Sequence, residues 1–204
     1  MKAIATFLLA TPISTMASAV PVTLVYAGTL PSTSTLGGAS VANQPFVFTA
    51  TADTANVTTA SFPAGVFLLR HDSATISING GPALTVLSAS ETFSNTTVDI
   101  VGLAVQTAFT GPNFLDLFSR FSVTDYDFTT SVPQITNPTA QIVNLQQVLA
   151  TSGGDLIISG PNSAPGTFQA TVGATAIPPP PTLLLSLAGL GLLSVASRVA
   201  RRGG

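Results

Sequence analysis

Through the middle of this chain, apolar and hydroxyl-bearing side chains alternate with a period of two, in runs that stop at Gly, Pro or Asn. In Gln44 to Thr51 the alternation puts Phe46 and Phe48 on one face, and Ser73 to Ile78 repeats the pattern. Only an extended strand places every second side chain on one side, so such runs exclude a helix as their simplest solution. Asn79-Gly80-Gly81 then separates Ser73–Ile78 from Ala83–Leu87. Asn and Gly tolerate the positive φ of a tight turn, and the spacing predicts a β-hairpin.

Further strand-like runs follow from Thr97 to Phe109, from Phe114 to Phe128, from Asp155 to Pro161 and from Thr167 to Val172. Phe121, Val123 and Tyr126 are among the apolar members of the second of these. Short strands divided by turn residues predict an all-β fold, an antiparallel β-sandwich of jelly-roll type. One segment also fits a helix. Asn137-Pro138 suits a helix N-cap and first turn, Ile142, Leu145, Val148 and Leu149 fall near helical spacing, and Gly153 could end it. A strand is the alternative there.

Charge is sparse and unevenly placed. Charged residues make up 7% of the chain, against about 25% in ordinary soluble domains. Between residues 20 and 177 the only basic residues are Arg70 and Arg120, against all eight acids of the chain, a formal balance of −6. Two arginines cannot neutralise a row of phosphates, which argues against nucleic-acid binding. The chain has no cysteine, so disulfides and thiolate metal sites are excluded.

The two ends read as processing segments. Lys2 supplies a short positive region, an apolar stretch follows, and Ala17-Ser18-Ala19 is a small-x-small cleavage pattern. Residues 1–19 are therefore expected to be a signal helix, cut after Ala19. At the other end no charge occurs between Asp155 and Arg198. Residues 182–200, as a helix, would span about 28 Å at ~1.5 Å per residue, close to a hydrocarbon core of ~30 Å. Arg198, Arg201 and Arg202 would stop that transmembrane helix and stay cytoplasmic, leaving the domain outside. Pro178, Pro179, Pro180 and Pro181 precede it as a stiff polyproline II spacer. The expected organisation is a signal segment at 1–19, a β domain at 20–177 and a tail at 178–204.

Ile177 to Leu185, the Leu/Gly-rich run Leu187 to Leu193 and the terminal arginines together resemble a PEP-CTERM sorting tail. In that family a Pro-Glu-Pro motif precedes a membrane span and a short arginine cluster. Pro178 to Thr182 occupy the motif, and Pro179 stands where the family has its glutamate. The likeness covers about the last 28 residues. It implies transient anchoring in an inner membrane, recognition by an exosortase, and association with exopolysaccharide or biofilm matrix. Such tails are shared by unrelated domains, so the resemblance concerns destination more than activity.

Catalytic groups are few. His71 is the only histidine and adjoins Asp72, no Gly-x-Ser-x-Gly elbow occurs, and no lysine follows Lys2. His71 reads as a strand-end residue. Asp125-Tyr126-Asp127 would put two carboxylates on one strand face, a weak calcium candidate or a solvated strand edge. Asn56-Val57-Thr58 and Asn95-Thr96-Thr97 match a glycosylation pattern, which arises readily in a Thr-rich chain. No cofactor and no enzymatic activity are expected. The expected role is that of an exported envelope or matrix-associated structural protein. The alternative is a carbohydrate- or ice-binding module using a flat Thr/Asn-bearing sheet face.

Overall fold

A computed structural model describes residues 19–60, 65–105, 116–142, 147–159 and 162–173. The strands are β1 (Pro21–Thr29), β2 (Thr35–Leu36), β3 (Ala39–Ser40), β4 (Pro45–Thr59), β5 (Val66–Ile78), β6 (Leu84–Thr85), β7 (Ser90–Asn95), β8 (Ile100–Val105), β9 (Asp116–Ser122), β10 (Val132–Ile142), β11 (Gln147–Thr151), β12 (Gly154–Ile158) and β13 (Asn162–Val172). No helix occurs among the described residues. The expected signal helix and transmembrane helix, with Ala17, Pro178 to Thr182 and Arg198, Arg201 and Arg202, lie outside them.

The main sheet runs β4-β1-β13-β10-β9-β8-β7-β5-β6, and β4 also pairs with β5. The eight strands from β4 to β5 therefore form a nearly closed antiparallel ring, with β6 hanging from β5. The all-β, antiparallel expectation describes this fold, but the main sheet's pairing runs around into a barrel-like ring. Closure satisfies the backbone groups that open sheet edges would expose. Between β9 and β10, Gln141 lies opposite Ser119.

An eight-stranded barrel has an interior just wide enough for side chains to fill. The alternation seen in the sequence supplies them. Val22, Leu24 and Tyr26 of β1, Phe46, Phe48, Ala50 and Ala52 of β4, and Phe168 and Ala170 of β13 all point inward and are buried. Tyr26 sits at the centre, with ring centroids 5.0 Å from Phe168, 6.0 Å from Phe121 and 6.4 Å from Phe48. Burying each such ring contributes roughly 1.5–3 kcal/mol.

A smaller four-stranded sheet, β11-β12-β2-β3, completes the domain. Its inward residues Leu149, Leu156 and Ile158 belong to the same core cluster as the barrel residues. Leu87 N–H donates to Ala150 O at 2.8 Å and Ser152 N–H to Thr85 O at 2.9 Å, lacing it to β6 and the residues just after it.

The Asn79-Gly80 hairpin forms as expected, with φ of 53° and 68° at its two central residues and Ile76 opposite Leu84. Three expectations are corrected. The possible helix after Asn137 is instead the two strands β10 and β11. Asn137 Oδ1 does accept the Thr139 N–H at 2.9 Å, as a cap would, but the turn it makes lies at a β-bulge between Asn137 and Ala140. Pro138 falls in that bulge, where no ladder N–H is needed. The run from Thr97 is broken by a turn: Thr97 N–H donates to Asn95 Oδ1 at 3.1 Å and Asp99 adopts φ 53°, so β8 begins only at Ile100. The run to Phe128 ends as a strand at Ser122, and Asp125 and Phe128 take φ of 48° and 69° in the loop beyond. Tyr126 and Phe128 of that loop still fold into the core.

Candidate functional site

The longest pairing in the barrel, β4 with β5, is also its most irregular. Thr51 opposes Ser73 and Ala52 opposes His71, so Asp72 is an extra residue on β5. The next pair is Val57 with Leu69, which leaves Asp53 to Asn56 on β4 facing Arg70 alone. The β4 backbone arches out of the ladder here and makes other bonds. Thr54 N–H donates to Val20 O at 2.9 Å, Val20 N–H to Thr54 Oγ1 at 3.1 Å, and Ala55 N–H to Asp53 Oδ1 at 2.7 Å. Bulges of this kind re-aim side chains and open space beside a sheet.

The opened space is a cleft of about 690 Å³ lined by Ala55, Asn56, Thr58, Leu68, Arg70, His71, Asp72 and Glu91. Asn56 Nδ2 donates to Asp72 Oδ1 at 2.9 Å, tying the arch to the bulged strand across the cleft. Arg70 stands opposite Glu91 of β7. Arg70 and Asp72 are exposed, whereas Glu91 is buried. Arg70, His71 and Asp72 also border a second groove of about 220 Å³ that includes Ser73, Ser88 and Ser90.

His71 is not a strand-end residue. It lies within β5 and turns toward the barrel interior, where Nδ1 is 2.9 Å from Ser90 Oγ and Nε2 is 2.9 Å from Thr92 Oγ1. Tyr26 OH donates to the same Thr92 hydroxyl at 3.0 Å. With Tyr26 donating into Thr92, the Thr92 proton is free to go to Nε2, and Nδ1–H donates to Ser90. Burial pulls the imidazole down to about 3, so it is neutral at ordinary pH, and burial likewise raises the Tyr26 phenol well above its usual range. An imidazole of such low basicity, bonded to two hydroxyls rather than to a carboxylate, lacks the orienting acid of a Ser/His/Asp site. The chain Tyr26–Thr92–His71–Ser90 satisfies buried polar groups and braces the wall that carries Arg70 and Asp72.

The carboxylates of Asp125 and Asp127 sit in a loop, not on one strand face. Asp127 Oδ1 accepts the Thr129 N–H at 3.0 Å and the Thr129 hydroxyl at 2.6 Å, and the hydroxyl bond holds its carboxyl below the usual range. Asp125 N–H bonds to Asp99 Oδ1 at 3.4 Å. Among the described residues no three or more His, Cys, Asp or Glu side chains gather as a metal site would require. Ala19, at the expected cleavage point, is exposed just ahead of β1.

The cleft escaped the sequence reading because it depends on a register shift. Its one local sign is the end of the apolar alternation at Ala52, followed by the polar stretch Asp53-Thr54-Ala55-Asn56. Comparison with protein-family models, with curated proteins and with solved structures finds no match to this chain.

Proposed function

We propose that this chain is an exported, non-catalytic envelope or extracellular-matrix protein, delivered by an N-terminal signal helix and held by a C-terminal PEP-CTERM-like tail. The observation that carries the reading is the order of parts after Ile177: four prolines, an apolar span, then Arg198, Arg201 and Arg202. The barrel's strand order agrees with it. β1 and β13 are antiparallel neighbours, and Gly173 N–H donates to Pro21 O at 2.9 Å. Ala19 and Gly173, where the described chain begins and ends, thus lie at the same end of the barrel, and every described strand lies between them. In this reading the tail crosses the inner membrane transiently and an exosortase is its partner. Fractionation of cells carrying the full chain or a deletion of 178–204 tests it. A membrane-held precursor is expected for the full chain and free release for the deletion. Identical soluble behaviour of both overturns the reading.

A second reading, binding of neutral carbohydrate, is favoured by one outward face. Thr171, Thr23, Thr51 and Ser73 are cross-strand neighbours on β13, β1, β4 and β5. Gln169, Val25, Thr49, Thr75 and Thr85 form the next row. The two rows carry no charge, and their side chains repeat at roughly 4.8 Å across strands and 6.8 Å along them. Strand twist of about 20–25° per neighbour curves this array. That curvature suits a flexible glycan better than a flat ice plane. Glycan binding without thermal hysteresis is the expected result, and thermal hysteresis would reverse the preference.

A further inference from the structure

The cleft over the β4–β5 irregularity adjoins the hydroxyl rows, since Thr51 Oγ1 and Ser73 Oγ, 2.8 Å apart, end one row immediately beside Asp72 and the arch from Asp53. We propose that this cleft is a binding site for a neutral sugar residue, held as a vicinal diol between Arg70, Asp72 and Asn56. The proposal deepens the carbohydrate reading above and rests on it.

The lining decides the ligand class. Leu68 and Ala55 are its only purely apolar residues, which disfavours a lipid or an aromatic compound. An anion would meet one guanidinium but two carboxylates, Asp72 and Glu91, in a domain that is acidic overall. A metal cation would meet the Arg70 guanidinium in the wall, and Asp72 and Glu91 fall short of a ligand set. A polyol presents donors and acceptors together and no charge, so it can use both kinds of group at once. Planar forks such as Arg and carboxylate match two adjacent hydroxyls. The volume is within the range of small-molecule sites.

Asp72 and Asn56 are also held in place before any ligand arrives. The Asn56 bond occupies Asp72 Oδ1 and leaves Oδ2 to accept from a hydroxyl. Arg70 is exposed and lines the same cleft. His71, with both ring nitrogens bonded, fixes the strand between these two side chains. Preorganisation of this kind lowers the ordering cost of binding.

The test is isothermal titration of the full chain, kept in solution by a zwitterionic detergent without a sugar headgroup. The probes are hexaoses of β-1,4-, α-1,4- and β-1,3-linked glucose and of mannose, with hexagalacturonate as the anionic control and glycerol as the free polyol. At least one neutral hexaose should bind with one-to-one stoichiometry and better than hexagalacturonate or glycerol. Arg70→Gln and Asp72→Asn should each weaken it by about tenfold or more, the loss of one charge-assisted bond. Arg70→Lys keeps the charge and loses the fork, so it too should weaken binding. Circular dichroism melts of these exposed-site variants should match the parent. If Thr23→Val with Thr171→Val abolishes binding while the Arg70 and Asp72 variants leave it intact, the cleft is not the site and the carbohydrate reading survives. If no neutral hexaose binds, both fall. Preference for hexagalacturonate overturns the proposal.

Discussion

Gly173 N–H donates to the carbonyl of Pro21 at 2.9 Å, joining the last described residue of the domain to the first residue of its first strand. The bond continues the β1–β13 ladder by one step beyond Val22 and Val172. The first and last strands of the ring are thereby held together at that end.

His71 makes stability depend on pH. Its imidazole is held near 3 in the folded state, against an unfolded value near 6.5. Below pH 6.5 the unfolded chain takes up a proton that the folded chain refuses. Stability is therefore full above that value and falls on acidification, by about 1.4 kcal/mol per pH unit down to about pH 3. Urea melts at pH 7, 6, 5 and 4 should show this slope. His71→Gln should flatten it between pH 6.5 and 5, above the range where the lowered Asp127 carboxyl begins to matter.

Gly102 is required by packing rather than by backbone conformation. A Cβ there would overlap the Phe93 ring and lie 2.6 Å from Ser119 Cβ. Gly102 and Phe93 are cross-strand partners in β8 and β7, two strands with both faces largely buried. Gly102→Ala should cost about 1–3 kcal/mol by overpacking. Adding Phe93→Leu should recover part of that loss, because the smaller side chain makes room. A chemical-denaturation cycle of the two single variants and the double variant measures the coupling.

Phe168 anchors the barrel interior beside Tyr26, Phe121 and Tyr126. Phe168→Ala should destabilise the domain by about 3–5 kcal/mol through lost burial and a cavity. Tyr26→Phe keeps the ring and removes only the phenol that donates to Thr92, so its cost should be nearer 1 kcal/mol. Thermal melts monitored by far-UV circular dichroism rank the two. Equal losses would mean that the hydroxyl chain, not the aromatic packing, carries the centre of the core.

Much of this fold was legible because local pattern and tertiary burial agree. Phe46 and Phe48 lie on the inward face that their alternation requires, and Asn79-Gly80 turns the chain where its composition says. Ring closure was not legible, since the partner of a strand is a non-local property and β4 meets both β1 and β5. Asn137-Pro138 misled because the same Asx bond can start a helix or shape a bulge, and only the β13 ladder decides between them. The cleft was hidden for a related reason. Simple alternation from Ser73 would turn Asp72 inward, but the one-residue bulge leaves Asp72 on the solvent side with Ser73 and turns His71 into the barrel instead.

If the tail is the membrane anchor proposed above, its insertion should be sensitive to a single charge. Leu contributes only roughly −0.3 to −0.6 kcal/mol per central position, while Arg costs about 2.5–3.5 kcal/mol there. Leu190→Arg should therefore abolish anchoring and leave the barrel folded. Replacing Arg198, Arg201 and Arg202 with Ser should loosen the orientation of the span. Alkaline extraction of membranes, with circular dichroism of the recovered protein, distinguishes loss of anchoring from loss of fold.

The most direct measurement is the intact mass of the chain recovered from the envelope and extracellular fractions, with sequencing of both ends. The expected products are a mature protein that begins at Val20, a membrane-bound precursor that still carries residues 178–204, and an extracellular form trimmed in that tail. An extracellular chain that begins at Met1 and ends at Gly204, with no membrane-bound precursor, would contradict the proposed sorting.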